Sequence, residues 1–196
     1  MVSQEYFESM RVPPRFRGVS FEQIPERERK VVLNYAKNLP TCLKKGWGLL
    51  LWGNYGYGKS AAACCLLQTI AELGKTGLFT VFDDLAGYII NKEHYDEEET
   101  YVERLLRVDL LVIDEVILSS RDSFKDTCVE SIFRKRLNNF KSTVFTSNLN
   151  PKQISENFPA LSAVMKEVIL PVKFDTLNFR DSSAKEIEKF FGVTHG

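Results

Sequence analysis

The chain contains no apolar run near the roughly 20 residues that a bilayer-crossing helix needs, so nothing in it reads as a helical membrane span. Its start, Met1-Val2-Ser3-Gln4-Glu5, lacks the charged-then-apolar layout of a secretory leader. Its four cysteines, Cys42, Cys64, Cys65 and Cys128, include no C-x-x-C pair, which argues against a zinc or redox framework. Cys64 and Cys65 fall in a predicted buried helix, where cysteine serves as a small hydrophobe. Reduced thiols and a cytoplasmic setting are therefore expected. There is no excess charge of either sign, since Lys+Arg and Asp+Glu both number 26. Bulk charge thus does not advertise nucleic acid, and any basic surface must be local. Histidine is scarce, and the isolated His94 and His195 take no role. No internal repeat or low-complexity tract interrupts the chain.

What remains is 196 residues with 44% hydrophobic content, enough for one α/β domain with a full core. Residues 1–20 hold Pro13-Pro14-Arg15-Phe16-Arg17 and read as an extended N-terminal arm, ahead of a domain over 21–196. Residues 21–45 read as helical, with Val31, Val32, Tyr35 and Ala36 on one face. Apolar runs of strand length follow at 48–52, 78–82, 109–114 and 142–148, and a last one lies at 168–174. Pro171 assigns that last strand to a sheet edge, because proline cannot donate to a ladder. Helical stretches separate the runs at 60–73, 84–107 and 121–140, with His94 to Glu99 as a solvated loop inside the second. Pro151 opens a further helical region, and Ser183 with Glu186 makes a capping box for a closing helix to Phe191. Strands that alternate with helices and are apolar on both faces imply a central parallel sheet covered by helices.

Between the first strand and its helix stands Gly53-Asn54-Tyr55-Gly56-Tyr57-Gly58-Lys59-Ser60, followed by Ala61. It has the P-loop form G-x-x-x-x-G-K-S in the strand–loop–helix context that the motif requires. Glycines let successive N–H groups turn toward phosphate oxygens; Lys59 brings a positive charge to the β/γ-phosphates, and the Ser60 hydroxyl can ligate Mg²⁺. Leu110-Leu111-Val112-Ile113-Asp114-Glu115 has the Walker-B form. A buried strand would carry Asp114 to the sheet edge to hold Mg²⁺, while Glu115 would orient and deprotonate an attacking water. Thr146-Ser147-Asn148 ends the next strand at the same edge, where the Asn148 amide can reach a γ-phosphate or the nucleophilic water.

In order and spacing these motifs resemble the AAA+ ATPase module of the DnaC/DnaI/IstB group, bacterial helicase loaders and their transposition relatives. The likeness covers residues 15–180 in outline. Besides the P-loop and Walker B it rests on Arg15-Phe16-Arg17 with Val19-Ser20-Phe21-Glu22 ahead of the pocket, and on Arg136-Leu137 through Leu149. The late Leu177-Asn178-Phe179-Arg180 completes it. The resemblance implies a P-loop NTPase fold of AAA+ type, with a five-stranded parallel sheet and a minimal or absent lid domain. It makes Asn148 the sensor-1 residue and Arg180 the sensor-2 arginine. It also implies ATP and Mg²⁺ as cofactors, ATP hydrolysis, and a replicative helicase or related loader subunit as partner. Single-stranded DNA is a further partner to consider, through the Arg134-Lys135-Arg136 and Lys141 cluster, although an ordinary charged helix surface is the favoured reading of that cluster. A transposition ATPase and a nucleotide-binding switch with little turnover are the alternatives.

The sequence departs from the family at three places. Members usually carry a Ser-Arg-Leu-like triplet before the last strand, whose arginine reaches the neighbouring subunit's γ-phosphate; here Ala163 falls at that place. Lys166, Arg121 and Arg134 are the candidates to replace it, and weak or partner-dependent self-association is expected. The P-loop interior, Asn54 to Tyr57, is bulkier than usual. The first 20 residues are too short to replace the N-terminal domain by which many such loaders grip the helicase.

Overall fold

The computed structural model describes residues 3–91, 99–116, 123–176 and 190–191. Five strands, β1 (Gly48–Trp52), β2 (Gly77–Val81), β3 (Leu110–Val116), β4 (Ser142–Ser147) and β5 (Ile169–Lys173), form one sheet in the order β2-β3-β4-β1-β5. Every pairing is parallel. Side chains alternate along each strand, so a doubly covered sheet needs apolar residues at consecutive positions. Leu49 and Leu51 of β1, with Leu110 and Val112 of β3, enter one core. Their neighbours Leu50, Leu111 and Ile113 enter the other. The expected α/β fold with its five-stranded parallel sheet is the observed one, and β5 lies at an edge as Pro171 implies.

The first core lies under α2 (Glu26–Lys37), α3 (Leu39–Lys45) and α4 (Lys59–Glu72). Helix α4 supplies Ala62, Ala63, Cys64, Cys65, Leu66, Leu67 and Ile70, all buried. Within α2, Val32, Tyr35 and Ala36 face the core as the spacing predicts, whereas Val31 stays 36% exposed at the margin. The second core lies under α5 (Asp84–Asn91), α6 (Tyr101–Arg107), α7 (Ser123–Asn138), α8 (Pro151–Asn157) and α9 (Pro159–Val168).

Two expectations need correction. The N-terminal segment is not extended: it holds helix α1 (Gln4–Ser9) and a 3₁₀ turn at Pro14–Phe16. Phe7, Met10 and Val12 are buried in the first core, and the Phe79 N–H of β2 donates to the Met10 carbonyl at 2.8 Å. The chain thus covers the outer edge of the sheet with its own first residues, one of the ways edges are kept from pairing elsewhere. The proline pair had suggested an extended path, but Ser3 caps α1 and the apolar residues behind it have a core to enter.

The second correction concerns Arg136, which is fully buried rather than part of a basic surface. Its guanidinium donates to Thr143 Oγ1 and to the carbonyls of Leu105, Val108 and Ser142, tying α6, α7 and β4 together. Burial pushes its pKa down to about 9, which still leaves it charged at neutral pH. Arg134 pairs with Glu130, and Lys141 with Asp109 at 3.0 Å, so little of the cluster is left as a continuous basic face. Arg136→Met should destabilise the fold strongly, because each buried carbonyl that loses its donor costs about 1–3 kcal/mol. We expect at least ~3 kcal/mol, a fall of ~6 °C or more in Tm by thermal melting. A melt unchanged within a degree would show that the four acceptors find other donors.

Candidate nucleotide site

All the strand ends that carry the motifs meet at one edge of the sheet, the carboxyl edge, where ligands of such folds bind. There a cleft of about 670 Å³ is lined by P-loop residues, by Glu115 and Asn148, and by the N-terminal segment from Arg15 to Ile24.

The loop between β1 and α4 bends because three of its positions have left-handed or near-extended positive φ: Gly53 (142°), Gly56 (84°) and Gly58 (82°). Gly53 is also confined by space, since a Cβ there would lie 2.1 Å from the Phe174 carbonyl oxygen. Gly58 caps α4, so the first N–H groups of that helix open into the cleft, the arrangement that suits an anion. Tyr55 stands 55% exposed on the rim, Asn54 is exposed, and Tyr57 packs back against the first core. Both tyrosines line the cleft, Tyr55 from its exposed position and Tyr57 while packed against the core. Ser60 and Ala61 line the floor.

Lys59 is nearly buried, and its Nζ donates to the carbonyls of Gly53 and Asn54 at 2.7 Å and to Asn148 Oδ1 at 2.9 Å. One cation thus links the P-loop to the end of β4. Because β4 lies between β1 and β3, Asn148 is brought beside Lys59 and Thr146 beside Asp114.

Asp114 is 2% exposed, and its Oδ1 accepts from Ser60 Oγ at 2.8 Å and from Thr146 Oγ1. Burial pushes its pKa above the usual carboxylate range, against the opposing hydrogen bonds and the charges of Arg15 and Lys59. A buried carboxylate beside a hydroxyl is an all-oxygen donor set, which fits a hard cation such as Mg²⁺. Among the described residues no group of three or more His, Cys, Asp or Glu side chains is gathered as a metal cage. A cation at Ser60 and Asp114 would therefore take its other ligands from phosphate and water.

Glu115 is not a simple continuation of its strand. The ladder between β3 and β4 skips from Ile113↔Phe145 to Val116↔Ser147, leaving one extra residue on β3. Glu115 itself has φ 57°, a left-handed conformation that costs a non-glycine residue on the order of 1 kcal/mol or more. Its N–H donates to Thr146 Oγ1 at 3.0 Å, the same hydroxyl that donates to Asp114. Such a bulge re-aims a side chain, and here it sends adjacent acids to different places: Asp114 inward beside Ser60, Glu115 exposed on the cleft wall. Residue order gives Thr146 no role; the strand order places its hydroxyl between the Asp114 carboxylate and the Glu115 backbone N–H.

The chain matches the model of the IstB-like ATP binding protein family over residues 16–171. It belongs to that family. This IstB-like ATP-binding chain is thus of the AAA+ P-loop type, and the adenine-nucleotide expectation drawn from its P-loop stands on the family as well as on the motif. A curated relative, the replicative helicase loader DnaI of Bacillus subtilis (strain 168), is 20% identical over 161 residues, covering 79% of this chain and 52% of the relative. The chain spans about half the length of that relative. Among solved structures, the DnaC helicase loader aligns with TM-score 0.73 and 18% identity over 83% of this chain and 100% of that one. DnaI aligns with TM-score 0.71 and 18% identity over 86% of this chain and 94% of that one. At that identity the two structures establish the shared fold.

Of the residues expected at the site, Gly53 through Ala61, Asp114, Glu115 and Asn148 gather at this one cleft or its rim. Arg180, the Asn178-Phe179 pair before it, Arg121 and the Ser183/Glu186 capping box lie outside the described residues. Ala163 is exposed on α9, and Lys166, one turn further, is exposed as well. Among the described residues no helix is long and apolar enough to cross a membrane.

Proposed function

We propose that this IstB-like protein is an ATPase whose nucleotide state controls attachment to a replicative helicase or to a related loader subunit. Residues 21–196 are read as the ATPase domain and residues 1–20 as its arm. One observation carries the reading most: Lys59–Asn148 and Ser60–Asp114–Thr146–Glu115 form a connected set of polar contacts at the carboxyl edge of the sheet. The relation to a protein named as a replicative helicase loader supplies the partner class.

In this reading the P-loop amides and Lys59 hold the phosphate tail, and Ser60 and Asp114 hold Mg²⁺. Held by Ser60 and Asp114, Mg²⁺ would supply positive charge against the negative charge of the phosphate tail. Glu115 takes the proton of the attacking water on its carboxylate, Asn148 orients that water or the terminal phosphate, and Arg180 serves as the sensor-2 arginine. Single-stranded DNA remains a candidate partner, with a weaker motivation now that Arg136 is internal.

Ala163 favours a second feature of the reading, slow turnover in isolation. It occupies an exposed place on α9 where the family's arginine is expected, and an arginine finger is worth ~10³–10⁵ in rate. ATP drives assembly only by the difference in its affinity for free and assembled states, and the finger is a large part of that difference. The protein alone should sediment mainly as a monomer with or without ATP and hydrolyse it slowly. With the purified host replicative helicase present, ATP should promote a stable complex and turnover should rise. A stable ATP-induced hexamer turning over briskly by itself would assign the finger to Lys166 or another residue; no ATP-dependent binding to the helicase would remove the loader role.

A further inference from the structure

One arginine at the cleft is not absorbed by the roles above. Arg15 lies on the 3₁₀ turn Pro14–Phe16 and lines the same cleft as Lys59, Ser60, Glu115 and Asn148. Among the described residues it makes no hydrogen bond and no ion pair; it stacks on the ring of Phe16, with the guanidinium carbon 4.5 Å from the ring centroid. The contrast with other arginines is clear: Arg17 pairs with Glu8, Arg134 with Glu130, and Arg136 is enclosed by four acceptors. Stacking on a ring uses the face of a guanidinium and leaves its in-plane N–H groups free to donate.

The backbone around Arg15 is held from both sides. Arg17 Nε donates back to the Val12 carbonyl at 3.0 Å, and Val12 is buried. From α4, Gln68 Nε2 donates to the Val19 carbonyl at 3.0 Å, with a longer contact to the Phe16 carbonyl at 3.5 Å. Pro13 and Pro14 fix two further φ angles of the approach. The helix that begins at the P-loop therefore fixes the segment that presents Arg15. Phe16, Val19 and Ile24 give the neighbouring wall an apolar character that suits a base, and Arg15 is the cation on that wall. Its charge also reaches the metal end of the cleft, where it acts against the burial that raises the pKa of Asp114.

We propose that Arg15 reads the phosphate tail of the bound nucleotide, donating its planar fork to terminal phosphate oxygens and so setting the preference for a triphosphate over a diphosphate. The proposal rests on the nucleotide-site reading above. A guanidinium suits this task because its paired donors match two oxygens of one phosphate, and charge-assisted bonds of this kind are worth about ten- to a hundred-fold in affinity.

The test is calorimetric titration of ATP, ADP and adenosine, with Mg²⁺, into the wild-type chain and into Arg15→Ala and Arg15→Lys. The Arg15 side chain is exposed, so both variants should melt with the wild type. We expect Arg15→Ala to weaken ATP about ten-fold or more and ADP by less than about three-fold, with adenosine unchanged. Arg15→Lys should recover part of the loss by restoring charge without the fork. An unchanged ATP-to-ADP ratio in Arg15→Ala, in a wild type that binds ATP, overturns this proposal alone. Equal losses for all three ligands also overturn it and place the guanidinium on the base. A wild type that binds no ATP overturns the nucleotide-site reading, and this proposal with it.

Discussion

Lys59→Ala should abolish detectable binding of ATP·Mg²⁺. The wild-type ammonium is nearly buried, and its position is fixed by the carbonyls of Gly53 and Asn54 and by Asn148 Oδ1. Those three acceptors use all three of its N–H donors, so contact with phosphate exchanges at least one of these bonds for one to an anionic oxygen. Charge-assisted bonds in a partly water-excluded cleft are the strong ones. Losing this one should weaken binding by at least ~100-fold, or ~3 kcal/mol. Truncation also frees the two loop carbonyls and Asn148, so Lys59→Met, which keeps most of the apolar stem, serves as a second variant. Both should remain folded, because α4 is still anchored in the core by seven other buried residues, the six from Ala62 to Leu67 and Ile70. Calorimetric affinity within about three-fold of wild type in both variants would remove Lys59 from the phosphate site.

The second large effect is on turnover. Glu115→Gln should leave ATP affinity within about two-fold and reduce helicase-stimulated hydrolysis by ~10²–10⁴, the usual contribution of a positioned base. Glutamine keeps the size of the side chain, and the bulge that aims it is held by the backbone N–H to Thr146 Oγ1, which the substitution does not touch. A loss of affinity equal to the loss of rate would mean that Glu115 binds the nucleotide instead of acting on water. Equal turnover in wild type and Glu115→Gln would exclude it as the base.

The reach of the sequence had a physical limit. The P-loop was legible because its chemistry is contiguous: eight consecutive residues supply the bend, the amides, the cation and the hydroxyl. Asp114 was legible because four apolar residues before an acid announce a buried strand that carries a carboxylate to the sheet edge. What could not be read was the relation between strands. Thr146 holds both acids only because β4 lies between β1 and β3, and residue order does not state strand order. The left-handed φ of Glu115 was likewise hidden, since glutamate carries no local signal for it. Arg136 does carry a sequence signal for burial: it follows Ile132 by four residues and Phe133 by three, which puts it on the buried face of α7. The first 20 residues misled because two prolines outweighed Phe7, Met10 and Val12, whose burial depends on a sheet edge far along the chain.

The most direct measurement is calorimetric titration of ATP into the wild-type chain, first with Mg²⁺ and then with EDTA, repeated with Asp114→Asn. Saturable one-site binding is expected, tighter with Mg²⁺, and the metal-dependent gain should shrink in Asp114→Asn because in the proposed site Asp114, hydrogen-bonded to Ser60, would be the carboxylate that holds the cation. ATP binding that is absent, or that is the same with and without Mg²⁺ in both proteins, would contradict a P-loop site built from Lys59, Ser60 and Asp114.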